Sequence, residues 1–195
     1  MHQLILIPDE CTCAHCPPQL KEEPVKLGID IGRVIMAPTA QDGRGDSTFL
    51  NGDEARAMAV PPAPGAFESI ARLVKAFAGD VWLVSKAGPR VQQRSMQWFA
   101  QRDFHVITGI PPERVRFCRE RRDKALHAVE LGLTHFVDDR ADVLAHLHGI
   151  VPVLILFGHQ AHPPPPYVTQ APNWAEAERL LLASLPAAAG HLRAP

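Results

Sequence analysis

Lys26-Leu27-Gly28-Ile29-Asp30-Ile31-Gly32-Arg33-Val34-Ile35 is an apolar run that delivers a single carboxylate, Asp30, and then turns at a glycine. In a parallel α/β sheet, ligands bind at the carboxyl ends of the strands. An acid at such an end is placed to act as a nucleophile or a metal ligand.

Outward from this segment, apolar strands alternate with helical patterns. The strand candidates are Val25–Asp30, Val81–Val84, Val115–Cys118, Thr134–Val137 and Val151–Phe157. Pro152 marks the last of these as an edge strand or as a strand beginning. Between them, Ala66, Ile70, Leu73, Val74 and Phe77 form an apolar stripe at helical spacing, ended by Gly79. Val91, Met96, Trp98 and Phe99 suggest a second helix after Pro89. Leu126, Val129 and Leu131 lie on a third, closed by Gly132, and Val143, Leu144 and Leu147 on a fourth, closed by Gly149. Trp174 to Leu185 reads as a final helix covering the sheet. All these stripes are assigned to the core. The alternation predicts a doubly wound, mostly parallel five-stranded sheet with helices on both faces.

The chain has 195 residues, enough for one domain with a real core, and 46% of them are apolar. With 20 basic and 21 acidic residues the formal net charge is -1, so no basic field marks a nucleic-acid surface. No apolar run approaches the roughly 20 residues that span a bilayer. A cytoplasmic protein without membrane partners is expected. Residues 1–24 read as an extension, 25–186 as the α/β domain and 187–195 as a tail. Within the domain, 37–65 is an irregular loop carrying Gly43, Gly45, Gly52, Pro38, Pro61, Pro62 and Pro64, with room for a short helix around Ala55–Ala59. Pro163 to Pro166 form a stiff connector to the last helix. In the extension, Cys11, Cys13 and Cys16 surround His15 and offer ligands to Zn²⁺; the alternative is a loose segment with reduced thiols.

Several polar residues fall at strand ends. Asp30 closes the first strand, Ser85 and Lys86 the second, and Asp138-Asp139 the fourth, while Lys124 begins the helix after the third. Their convergence would build a divalent-cation site beside a cationic and hydroxyl cradle for phosphate. Each also has a plain structural reading. Asp30 could cap a turn, Ser85 could be a turn residue, and Lys124 could join Arg119, Arg121 and Arg122 on a solvated face capped by Asp123. Asp138-Asp139 is harder to explain that way, because adjacent carboxylates repel unless a cation, or Arg140, balances them.

The ordered set resembles the haloacid dehalogenase-like (HAD) hydrolase superfamily, most of whose members are phosphatases. Gly28-Ile29-Asp30-Ile31-Gly32-Arg33-Val34 matches the first motif and Val81-Trp82-Leu83-Val84-Ser85 the second. Lys124 fits the third, and His135-Phe136-Val137-Asp138-Asp139 the fourth, with Asp142 also at a usable spacing. The resemblance implies that Asp30 attacks phosphorus to form an aspartyl-phosphate, that Ser85 binds phosphoryl oxygens and that Lys124 offsets charge. It implies Mg²⁺ held by Asp30, Asp138, Asp139 or Asp142, and the main-chain carbonyl of Gly32. The substrate would be a phosphorylated compound, and the 37–65 loop a minimal cap.

The sequence departs from the family at one place that matters. Typical phosphatases of the family carry a second aspartate two residues after the nucleophile, which protonates the leaving group and then activates water. Here that residue is Gly32, and Arg33 replaces the glycine usual next to it. His105, Asp142 and the 37–65 loop are candidate substitutes. Two expectations follow: an atypical Mg²⁺-dependent phosphatase, or a catalytically weak or inactive HAD-like domain used for binding or assembly.

Overall fold

The computed structural model describes residues 24–37, 49 and 53–186. The three cysteines of the Zn²⁺ reading, most of the extension, much of the 37–65 loop and the tail lie outside them. Six strands form one sheet: β1 (Leu27–Ile29), β2 (Val81–Lys86), β3 (Val115–Cys118), β4 (His135–Asp138), β5 (Val153–Phe157) and β6 (Thr169–Ala171). Their order is β3-β2-β1-β4-β5-β6, and every neighbouring pair is parallel. The sheet has one strand more than predicted. β6 has only three residues with one buried side chain, Ala171, so it lacks the apolar run by which the others are recognised. β5 starts immediately after Pro152, which is therefore a strand beginning; the edge reading fails because β6 covers that side.

Seven α-helices are described: α1 (Glu54–Ala59), α2 (Ala66–Ala76), α3 (Pro89–Ala100), α4 (Phe104–Thr108), α5 (Lys124–Leu131), α6 (Ala141–Leu147) and α7 (Trp174–Ala183). Successive strand residues point to opposite faces, so the sheet feeds two cores. Val137, Ile155 and Phe157 join Ile70, Leu73, Phe77, Trp174 and Leu181 on one side. Phe136, Leu154 and Leu156 join Ala128, Val143, Leu144 and Leu147 on the other. Helices on both faces thus bury the sheet, and every residue of the central strands β1 and β4 is buried.

The stripe assigned to α5 is corrected. Leu126 and Val129 are 69% and 64% exposed, and the buried positions of this helix are Lys124 and Ala128, one turn apart. The inward face therefore carries a charged residue at its first position, and that residue is spoken for by the site described below.

Gly28 sits mid-strand for a packing reason. A Cβ there would lie 2.5 Å from the Phe136 ring and 2.7 Å from Leu133, so only glycine lets that ring cross β1. The described part of the 37–65 segment is tied down rather than loose. Asp53 caps α1 by accepting a hydrogen bond from the Arg56 amide at 2.8 Å. The Trp98 indole donates to the Val60 carbonyl at 2.7 Å, and Arg102 donates to the same carbonyl at 2.9 Å. Ala63 N–H donates to Ile35 O at 2.7 Å, which draws this segment against the turn after β1.

Candidate active site

β1 and β4 are neighbours, and the strand order reverses between them. Chains leaving their carboxyl ends diverge to opposite faces and leave a crevice at this switch point. Ile29 pairs with Val137, so Asp30 and Asp138 emerge side by side, and the Asp30 amide donates to Val137 O at 2.9 Å. Lys124, at the start of α5, reaches between them. Its Nζ donates to Asp30 Oδ1 at 2.6 Å and to Asp138 Oδ2 at 2.7 Å. Asp138 is fully buried, and its other oxygen accepts from the Arg140 amide at 3.0 Å.

Burial of this triad is electrostatically expensive unless the charges match. Desolvation pushes the Asp138 carboxyl up to about 7, with a further push from Asp30, against the lowering effect of Lys124 and the Arg140 amide. For Lys124 burial favours the neutral amine, but Asp30 and Asp138 outweigh it and hold the ammonium above its ordinary value. Lys124 is thus a cation shared by two carboxyl groups. Asp139, itself paired with Arg33, lies beside them: ligand atoms of Asp30, Asp138 and Asp139 lie within 4.8 Å of one another. Three carboxyl groups this close together, Asp30 and Asp139 lining the crevice and Asp138 buried beside them, suit a divalent cation such as Mg²⁺.

A cavity of about 140 Å³ opens over these groups. Asp30, Gly32, Ser85, Lys124 and Asp139 all line it. Ser85, at the end of β2, is nearly buried, and its hydroxyl makes no hydrogen bond among the described residues. Asp30 Oδ2 likewise accepts none among them, and it is the atom nearest to where a Cβ on Gly32 would project, at 4.0 Å with nothing else closer. A side chain at residue 32 would therefore enter the cavity beside the nucleophile candidate.

Arg33 keeps the left-handed backbone, φ 58°, that a glycine adopts without cost. For an L residue this conformation costs about 1–2 kcal/mol. The guanidinium offsets it by pairing with Asp139. Arg140, expected as the partner of the acidic pair, instead makes a two-point contact with Asp142, both bonds at 2.9 Å.

The structure thus brings Asp30, Gly32, Ser85, Lys124, Asp138 and Asp139 to one place. Asp142 is not brought in: it is half-exposed and clamped by Arg140, outside the cluster of three acids. His105 is also elsewhere, with Nδ1 bonded to Ile110 O at 2.7 Å and its ring against Phe99 and Phe104. His159 and His162 are exposed and do not line the cavity. Asp123 accepts from the Glu120 amide at 3.2 Å and so caps the short turn before α5. Sequence reasoning missed the apolar wall formed by Met36, Phe49 and Val60; Arg121, named there only in the alternative of a solvated face, is exposed and also lines the cavity. It also missed Gln160, which donates to Asp139 O at 3.2 Å and to Phe157 O at 2.9 Å, tying the β4 and β5 exits together. None of these carries a local motif.

No protein-family model matches the chain, and no functionally curated protein matches its sequence. Among solved structures, the chain is similar to a haloacid dehalogenase-like hydrolase from Burkholderia xenovorans LB400. The TM-score is 0.54 at 14% identity, over 82% of this chain and 97% of that one. A haloacid dehalogenase-like family hydrolase from Xanthomonas campestris also matches, with a TM-score of 0.45 at 19% identity, over 71% of this chain and 58% of that one. The first likeness shows the fold: that of the HAD-like hydrolases.

Proposed function

We propose that the chain is a Mg²⁺-dependent hydrolase of phosphate esters that works through an aspartyl-phosphate on Asp30. The observation that carries this reading is Lys124, buried between Asp30 and Asp138 at 2.6 and 2.7 Å while Asp30 keeps its second oxygen without a hydrogen bond among the described residues. A lysine that only balanced buried acids would need no cavity over it. Asp30 Oδ2 attacks phosphorus and the bond to the leaving oxygen breaks; water then cleaves the acyl phosphate, returning Asp30 and releasing phosphate. The Ser85 hydroxyl donates to a phosphoryl oxygen, and Lys124 orients Asp30 through its bond to Oδ1. Mg²⁺, held by Asp30, Asp138, Asp139 and the main-chain carbonyl of Gly32, would offset charge between the anionic nucleophile and the phosphoryl oxygens.

Gly32 offers no proton to the leaving oxygen. The substrates favoured are those whose leaving group departs as a stable anion, such as aryl or acyl phosphates. The same glycine supports the second reading, a domain with little turnover that binds phosphate and cation. Phosphate release from an aryl phosphate with Mg²⁺ tests both. The Asp30→Asn variant is expected to lose at least a hundredfold in rate. Equal rates in the two proteins would remove Asp30 as nucleophile, and release by neither would leave the binding reading.

A further inference from the structure

The cations around the cavity are unequally committed. Lys124 is held by Asp30 and Asp138, Arg33 by Asp139, and Arg140 by Asp142. Lys86 and Arg121 line the same cavity, are exposed, and make no ion pair or side-chain hydrogen bond with the described residues. Arg121 is felt by Asp142, but both oxygens of that carboxylate are already taken by Arg140. Lys86 directly follows Ser85 at the end of β2, and Arg121 opens the turn that leads to Lys124. Each therefore stands next to a group of the phosphate cradle without belonging to it. Two uncommitted positive charges at one cavity mouth attract an anion more strongly than either does alone. Because Lys86 and Arg121 line the same cavity of about 140 Å³ as Asp30, Ser85 and Lys124, a second anion that reaches them lies within a few bonds of the phosphoryl group.

We propose that Lys86 and Arg121 form a second anion subsite, so that the substrate is a small phosphate ester bearing another anionic group, a carboxylate or a second phosphate. This rests on the phosphate-ester reading above. It is tested by comparing kcat/KM for carboxymethyl phosphate with that for ethyl phosphate, and for propane-1,3-diyl bisphosphate with that for propyl phosphate. The wild type is expected to prefer one doubly anionic compound by tenfold or more, and the pair that shows the preference identifies the second anion. In the Lys86→Ala/Arg121→Ala double variant the ratio is expected to fall towards one, while Lys86→Arg retains it. Equal rates within both pairs, or a preference unchanged in the double variant, would overturn the subsite and leave the phosphatase reading standing. Should none of the four esters be hydrolysed, calorimetric titration with phosphonoacetate against methylphosphonate separates the two ideas. Binding of phosphonoacetate at least tenfold more tightly, lost in the double variant, supports the subsite without turnover; equal binding, or none, overturns it.

Discussion

Asp30 presents two oxygens with different surroundings: Oδ1 is bonded to Lys124, and Oδ2 faces the space that a side chain on Gly32 would fill. A carboxylate introduced there by Gly32→Asp would sit beside Asp30, whose negative charge raises the newcomer's pKa and so suits it to hold a proton near neutrality. If the missing group is only a general acid, this variant gains turnover on alkyl phosphates by about 10²–10⁴-fold. A series of aryl phosphates gives a second readout. Rates of the wild type should climb steeply as the leaving phenol becomes more acidic, and Gly32→Asp should flatten that dependence. No gain and no flattening would count against a reaction limited by leaving-group protonation.

At the scale of elements, the site depends on how β1 and β4 cross. The Phe136 ring occupies the place of a side chain on Gly28 and lies 5.8 Å from Lys124 Nζ, so the packing that closes the core also borders the buried ammonium. Gly28→Ala forces the ring, Leu133 or the strand to move. Overpacking of this kind costs about 1–3 kcal/mol, and urea denaturation should show a loss of that size. Because the displaced ring borders Lys124, phosphate release should fall as well. A variant as stable as the wild type would mean that the ring has an easy alternative position.

Over the whole molecule, two buried groups make stability depend on pH in opposite directions. Asp138, raised to about 7 by desolvation, binds its proton more tightly folded than unfolded, so its contribution is full below about pH 4 and is lost as pH rises through about 7. His135, lowered to about 4 by burial, is neutral between Thr134 and Ser184 when folded; its contribution is full above about pH 6.5 and is lost as pH falls through about 4. Without added cation, Asp138→Asn should therefore melt at rising temperatures from pH 4 to 6.5, whereas His135→Gln should melt at falling temperatures from pH 4 to 7. Slopes of the opposite sign in the two variants would contradict these assignments. No helix among the described residues is long and apolar enough to cross a membrane.

Five strands and the longer helices were legible because burial on both faces leaves long apolar runs, and the positions of Asp30, Ser85, Lys124, Asp138 and Asp139 were legible because each terminates or follows one. Helical spacing misassigned Leu126 and Val129, since periodicity marks a face without saying what lies opposite it. β6 escaped because a three-residue edge strand buries a single side chain. What the sequence determined by itself is five of the six strands, the strand-end acids and the glycine at residue 32. Which acids meet was decided only by the tertiary structure: Asp142 and Arg140 close on each other, Arg33 takes Asp139, and Lys86 and Arg121 are left facing the cavity. The physical reason is that local periodicity encodes burial, whereas charge pairing depends on distances between groups far apart in the chain.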